Sequence, residues 1–486
     1  MIKSTIVTLQ RQYQAFVKAQ GPTANGTYIG TTLLSGIDIN TTSVLAPNYV
    51  TPRSLQMNIG IQQQIRQGTV VTVDYLRNVA THNLLSIDTN HVGDARFFNL
   101  ANAQTAIATT LTACGVGSID LAIVSCPGLH PTGGGANIVD FSANGLDSGY
   151  VVCGGAPCPN AAFPGISPNV GANQLLFPIG RSVYNGLQSS LRQNVHNPLP
   201  GIKYLSLQVS YAFSRYVSQA RDSDFINFPQ DVANPQKYIG PTGLDRTHQL
   251  SFGGTMDLPA GFRMSVISHF DSPLPSNVTL PVSGTGGGLF QTDITGDGTG
   301  DGTFGSNGSL GDLLPGTNVG SFGRDFGVKG LNQKISNFNN NLVGQPTPAG
   351  QILIANKLFT LNQLQQLGAV IGGSTPTATA PFGPLQLAPP GAVGQGWLKT
   401  FDLGLSWGYK FKERVELRPG VTFFNLFNLA NFDGPAAPFS QILDGSQGSP
   451  NGTTNPQPNS LRLGLGSGVN ALGSPRVVEF ELKLIF

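Results

Sequence analysis

The sequence predicts an all-β fold, an antiparallel transmembrane β-barrel, and three observations support this prediction. Charged residues make up only 11% of the 486 residues, well below the roughly 25% of soluble domains. Segments of about ten residues or more alternate apolar and polar side chains, which is typical of a tilted strand that crosses a bilayer. Short and long connections alternate along the chain, as they do in bacterial barrels with short periplasmic turns and long external loops.

The composition argues against other classes of protein. The chain has 63 glycines and 34 prolines, and with so few charges a soluble chain would have little to keep it dispersed. A disordered chain usually carries more charge and fewer large apolar residues. The net charge of +2 is small and the basic residues are scattered, so no nucleic acid partner is expected. No apolar run of about 18 residues occurs, which excludes transmembrane helices.

The alternation of apolar and polar residues is the main evidence for strands. In the segment 205–213 every second residue is apolar, and Ser206, Gln208 and Ser210 lie between the first four of them. The same pattern recurs at 57–62, 401–411 and 480–486. One such segment could be a half-buried strand of a soluble protein, but soluble strands average only about five or six residues. The predicted strands cover residues 53–66, 69–78, 184–194, 203–216, 247–257, 262–271, 399–411, 414–427 and 475–486.

The connections between these strands fall into two classes. Tight turns are predicted at 67–68, 258–261 and 412–413, and the long connections cover roughly 79–183, 217–246, 272–398 and 428–474. We expect the long connections to be external loops. Within the third one, residues 351–371 have apolar residues at helical spacing and are followed by Gly372 and Gly373. This pattern predicts one short loop helix.

The predicted strands place the barrel in one part of the chain. Residues 1–52 are expected to form an irregular or partial strand segment, and residues 53–486 a C-terminal part of a barrel. About 9–12 strands are expected, so the barrel is predicted to be partial, a portion of a larger one. Gln10, Arg11 and Gln12 interrupt the apolar start, so no signal peptide is predicted.

The four cysteines all lie in one stretch that is rich in glycine and proline. They are Cys114, Cys126, Cys153 and Cys158. Zinc sites usually have paired, close ligand spacings, whereas these spacings are irregular and His130 is the nearby histidine. Disulfides between loop cysteines suit an oxidising compartment and are the favoured interpretation, and their pairing cannot be deduced from the sequence.

Several segments resemble a known family in their order along the chain. From about Pro52 to Phe486 they are similar to the C-terminal barrel portion of the Oar-like TonB-dependent transporters. The chain also ends, as that family does, in an alternating strand with a terminal phenylalanine. The matching segments are the hairpin 52–62 with V-x-V-x-Y at 71–75, Y-N-x-L-Q at 184–188, V-S-Y-x-x-S at 209–214, D-R-x-H at 245–248 and F-N-x-F-N at 424–428.

The resemblance implies an outer-membrane receptor for a large solute such as a siderophore, glycan or peptide. The family has a 22-stranded barrel that is plugged by an N-terminal domain, and TonB relays inner-membrane energy to it. No plug-sized segment precedes residue 53, so contact with the TonB energy-coupling complex is expected only through an N-terminal part that this sequence lacks. The alternatives are a structural or adhesive outer-membrane barrel and a passive porin. Expected partners are outer-membrane lipid and the barrel-assembly machinery.

No enzyme activity is predicted. The sequence contains no G-x-S-x-G, H-E-x-x-H or P-loop motif, and its six histidines are scattered. Asp245, Arg246 and His248 could form an acid–base group. Their position at the start of a strand favours a structural salt bridge or turn.

A weak calcium site is the one candidate metal site. Asp293, Thr295, Asp297 and Asp301 offer oxygen ligands at close spacing, with glycines between them, which suits a hard cation. The pattern is similar to the first half of an EF-hand loop, but Phe304 stands where a bidentate acid is needed. A flexible loop rich in glycine and aspartate is the alternative.

Two further sets of residues are expected to have roles in a barrel. Phe480, Leu482, Leu484 and Phe486 should face lipid, and their terminal aromatic residue resembles the signal that the assembly machinery reads. The other set should face the lumen, either to hydrate a pore or to contact a plug. It comprises Gln62, Gln64, Asp74, Gln188, Arg192, Gln208, Asp402 and Lys410.

Overall fold

The computed structural model describes most of the chain. Predictions for Cys153, Cys158, Asp301 and the turn at 412–413 lie outside the described residues. The described residues are 8, 11–12, 44–147, 159–169, 174–219, 226–227, 229–241, 245–275, 277–280, 287–298, 312–373, 384–385, 387–388, 397–411, 415–431 and 475–486.

Nine long strands form one antiparallel meander in this part of the chain, and each strand pairs with the next along the sequence. The predicted fold class is therefore confirmed. The sheet is open, since no pairing among the described residues joins its first strand to its last. The strands are β1 (Arg53–Arg66), β2 (Thr69–Asp88), β3 (Gln174–Leu199), β4 (Ile202–Ser218), β5 (His248–Asp257), β6 (Phe262–Asp271), β7 (Leu398–Trp407), β8 (Val415–Phe424) and β9 (Val477–Ile485).

Four shorter strands lie beside these nine. Tyr409–Phe411 continues β7 beyond Gly408 and pairs with β8. The other three pair at the long-loop end of the sheet and are Val44–Leu45, Ile226–Asn227 and Gly240–Pro241.

The antiparallel pair of β2 and β3 is much longer than the sequence predicts. These strands have 20 and 26 residues, whereas predicted strands end at 78 and begin at 184. The register shifts around Asn83, next to His82, whose φ is 62°. Beyond this point Leu84–Asp88 are buried. The extension was missed because residues buried on both faces do not alternate.

The long connections are richer in helix than predicted. The single helix predicted over 351–371 is two helices, because Lys357 has a positive φ of 58° and Thr360 begins a new helix with a capping box. No helix in the described part of the chain has both the length and the apolar character to cross a membrane. The helices are α1 (Leu100–Cys114), α2 (Ile119–Val124), α3 (Ile138–Ala143), α4 (Gly288–Gln291), α5 (Val328–Asn341), α6 (Pro348–Ala355) and α7 (Leu361–Gln366).

Two of the long loops fold together into a compact body, which we call the loop unit. It comprises the described parts of 89–169 and 277–373. Its larger core combines residues of both loops, with Phe141 and Phe163 from the first loop against Phe290 and Leu353 from the second, all fully buried. Close-packed side chains of this size bury enough apolar surface to hold two loops together.

One disulfide lies in this core. Cys114 at the end of α1 is bonded to Cys126 just after α2, and both are fully buried. This bond agrees with the predicted loop disulfides and fixes one pairing that spacing alone could not.

Loss of Phe163 should separate the two loops. Its ring lies 5.2 Å from that of Phe98 and 6.2 Å from that of Phe290. Phe163→Ala should therefore destabilise the loop unit by roughly 3–5 kcal/mol. Limited proteolysis should then cut both loops faster while the strands stay protected. Leu121→Ala, at an exposed position of α2, is the matched control, and equal cleavage of both variants would contradict this packing.

Candidate functional site

The register of the sheet sorts its side chains onto two faces. Partners directly opposite each other on adjacent strands point to the same face. Asp74 lies opposite Gln188, and Arg192 lies opposite Gln208. This pairing, followed strand by strand, places all the residues predicted for the lumen on one face, here called the inward face. They are Gln62, Gln64, Asp74, Gln188, Arg192, Gln208, Asp402 and Lys410.

The inward face is charged at its short-turn end. Asp257 Oδ1 accepts a hydrogen bond from Arg263 Nε at 2.5 Å, and Lys483 lies 2.9 Å from Glu481. A third pair joins Glu416 to Arg418. The spacings E-x-R and E-x-K could have revealed two of these pairs, because residues two apart on a strand share a face.

A buried cluster of three acidic residues lies in the described part of the loop unit. Carboxylate oxygens of Asp293, Asp297 and Asp312 all lie within 4.8 Å of one another, and all three side chains are buried. The Thr295 hydroxyl lies 3.0 Å from Asp297 Oδ1 and 2.9 Å from Asp312 Oδ1. The structure thus brings together three of the four predicted ligands. The spacing of the sequence did not predict Asp312, because this residue lies further along the same loop and only the fold brings it back to the other acids.

Backbone amides hold the carboxylates in place. Gly296 N donates to Asp293 Oδ1 at 2.7 Å, and Gly298 N donates to Asp293 Oδ2 at 3.0 Å. Both glycines have a positive φ, of 76° and 89°, which explains why glycine occupies positions 296 and 298 of this loop. Ile294 N donates to Asp312 Oδ2 at 2.7 Å. The loop is therefore shaped around its own acids.

The negative charge of this acidic cluster must be neutralised. Burial, together with the charge of Asp297, raises the pKa of Asp312 to about 7. Burial and the two neighbouring carboxylates raise the pKa of Asp293 well above its usual range. Three ionised carboxylates this close and this buried repel one another, so protons or a hard cation must offset their charge. The oxygen donors fit Ca²⁺, which binds carboxylates and hydroxyls at flexible geometry.

Asp245 serves as an anchor between the sheet and the loop unit. Its carboxylate is fully buried and lies 2.7 Å from Arg324 Nε of the loop unit and 3.4 Å from Arg215 Nη1 of β4. Tyr216 N also donates to it at 2.6 Å. His248 instead donates or accepts a bond with the Tyr211 hydroxyl at 2.8 Å. The D-R-x-H segment therefore has a structural salt bridge at its first residue.

The C-terminal strand carries its predicted apolar residues on the outward face. Phe480, Leu482 and Leu484 lie opposite Val421, Pro419 and Leu417 of β8. They are exposed at the outward surface of the sheet, and Phe486 is 91% exposed. An apolar edge strand of this kind is stable where lipid covers it.

The acidic cluster should make the stability of the loop unit depend on pH. Because the folded-state pKa of Asp312 is raised to about 7, the folded protein binds more protons than the unfolded chain between about pH 4 and pH 7. The loop unit should therefore be most stable below about pH 4 and lose stability as the pH rises through 7. The protection of the backbone amides of residues 328–341 against hydrogen exchange, corrected for the intrinsic pH dependence of exchange, measures this loss of stability.

Calcium should reverse the loss above pH 7, since a cation replaces the protons. Asp312→Asn should flatten the pH dependence and weaken the calcium effect. Asp325→Asn, at an exposed position of the same loop, is the control. Protection factors, which are exchange rates corrected for the intrinsic pH dependence of amide exchange, would contradict the prediction if they responded to neither pH nor calcium.

The chain has detectable similarity to known proteins. No match is found among curated proteins. Among solved structures, the outer membrane transporter YddB from Escherichia coli is similar over 91% of this chain and 33% of its own, with 7% identity and a TM-score of 0.35. The chain thus spans about a third of that protein's length. A model of the outer membrane beta barrel domain matches residues 3–462. The nine-stranded antiparallel sheet and this match together show that the chain belongs to the outer membrane beta barrel family and resides in the cell outer membrane.

Proposed function

We propose that this chain is part of a TonB-dependent barrel that takes up a large solute, such as a siderophore, glycan or peptide, through the outer membrane. The observation that carries the proposal is the loop unit, a folded body with its own core at the long-loop end of a polar sheet face. A passive pore needs only loops that leave its mouth open. A body built from two loops offers a shaped surface that can capture a solute before it enters the lumen.

The attachment of the loop unit supports a role in solute capture. Arg324 donates to the Asp245 carboxylate and, at 2.7 Å, to the Pro273 carbonyl. Asn318 Nδ2 donates to the Ile239 carbonyl at 2.8 Å. These bonds hold the loop unit against the strand ends, so a bound solute would sit above the inward face.

No catalytic step is part of the proposal. The residues that could suggest an acid–base group have other contacts: Asp245 binds arginines, Arg246 donates to the Ser272 carbonyl at 2.7 Å, and the His248 ring stacks 5.9 Å from Trp397. Their contacts hold loops and strand ends together.

Uptake measured with and without TonB distinguishes the proposal from its alternatives. Cells that express the whole protein are given labelled siderophores, glycans and peptides. For a TonB-dependent transporter, accumulation of one class should stop when TonB is removed. For a porin, accumulation should continue. For an adhesive or structural barrel, surface binding should persist without accumulation in either strain.

Breaking the anchor should weaken solute capture. Arg324→Ala leaves the buried Asp245 carboxylate with the more weakly bound Arg215, at 3.4 Å, as its ionic partner among the described residues. Breaking a buried ion pair costs roughly 3–5 kcal/mol. We expect surface binding of the transported solute to fall at least about tenfold at unchanged protein level. Lys329→Ala, exposed on α5, should bind normally. Normal binding by the Arg324 variant would show that the anchor does not position a capture surface.

The C-terminal phenylalanine should be needed for assembly. Deletion of Phe486 should lower the amount of folded protein in the outer membrane, because the proposed assembly signal loses its terminal aromatic group. Fractionation with heat-dependent gel mobility measures the folded amount. Phe486→Tyr keeps the aromatic ring and should assemble normally. Undiminished assembly of the deletion would show that the strand is recognised in another way.

A further inference from the structure

The charges on the outward face of the sheet all have one sign. We compared the described residues of β1 to β9, leaving out the part of β2 and β3 beyond the register shift at Asn83. Every charged side chain on the outward face of these strands is basic, and every acidic side chain points inward. Five of the basic residues lie at the long-loop end, and Arg66 and Lys203 lie at the short-turn end. The five are Arg53, Arg77, Arg181, Arg215 and Lys399.

Each of these five residues lies toward the long-loop end of the outward apolar residues of its strand, and one valine follows Arg77 and Arg215 on that face, namely Val79 and Val217. Phe213 precedes Arg215 on the outward face of β4, and Phe401 follows Lys399 on that of β7. This position corresponds to the height at which hydrocarbon gives way to headgroups on the external side. A basic side chain there can extend its charged end out of the apolar layer.

The register places four of the five in two pairs, and the two members of each pair are separated by one strand. Arg53 and Arg181 both lie opposite residue 81 of β2, one from each side. They are thus two strand spacings apart, about 10 Å. Arg77 and Arg215 both lie opposite Asn185 of β3, again from the two sides. The arrangement spreads positive charge over the width of a headgroup with more than one phosphate.

Internal partners do not neutralise this charge within the described residues. Arg77 Nη1 donates to the neutral Asn185 amide oxygen at 2.8 Å. Arg215 shares the Asp245 carboxylate with the closer Arg324. Arg53, Arg181 and Lys399 have exposed side chains and form no ion pair in the described part of the structure. A like-charged row at a membrane interface is stable when anionic headgroups surround it.

We propose that this outward basic belt binds phosphorylated lipid headgroups of the outer leaflet. Guanidinium groups bind phosphate oxygens through paired hydrogen bonds. The belt continues directly from the lipid-facing apolar band, so a lipid whose chains lie on that band has its headgroup at the belt. Lipid binding of this kind does not depend on whether the barrel transports a solute.

The test measures binding of lipid A, a bisphosphorylated lipid, to the full chain in neutral detergent by native mass spectrometry. The triple variant R53Q/R181Q/K399Q should bind about a hundredfold more weakly, since each basic residue near an anionic surface contributes roughly fivefold. Glutamine keeps part of the aliphatic chain of arginine and lysine and removes the charge. Gel mobility before heating reports whether the variant is folded. Lys203→Gln, on the same face at the short-turn end, should bind as the wild type does.

Three results would overturn the proposal. The first is equal lipid binding by the triple variant and the wild type. The second is wild-type binding that does not weaken with added salt, a readout that needs no variant. The third is displacement of the lipid by inorganic phosphate at equal concentration, which would show an ion site rather than a lipid surface.

Discussion

The hydrocarbon layer imposes the constraint on which the rest of this structure depends. Lipid chains cannot form hydrogen bonds, so every backbone amide and carbonyl that faces them must find a partner within the protein. A meander of strands, each paired with the next, satisfies this requirement with the shortest connections. The sheet therefore follows the order of the chain from β1 to β9, and the complex parts of the fold lie outside the membrane.

The same constraint divides the charges between the two faces. A charge in contact with hydrocarbon is costly, whereas a charge in a wet lumen or at the headgroups is not. Acids accordingly point inward, where Asp257 pairs with Arg263, and the basic groups of the outward face lie toward the two ends of the sheet. The low charge content of the chain follows from this, because the outward apolar band needs no charges and the neutral amides and hydroxyls of the inward face need few.

Sequence reasoning succeeded where the membrane controls the pattern and failed where it does not. Alternation predicted the nine strands and placed Gln62 and Asp74 on one face, because lipid on one side and polar surface on the other impose a period of two. The buried end of β2 and the loop helices have no such period. Asp312 was missed for a related reason. The tertiary fold brings it close to Asp293, and the spacing of residues along the chain does not predict such a contact.

The strand directions constrain how this sheet can close. Neighbouring strands run in opposite directions, so the first and ninth members of the meander, β1 and β9, run in the same direction. Direct pairing of these two edges would therefore be parallel, whether within one chain or between two copies in the same membrane. An antiparallel barrel that contains this sheet needs an odd number of further strands between β9 and β1, which agrees with the even totals of bacterial barrels. The exposed edge of β1 is thus a surface shaped for a strand of opposite direction.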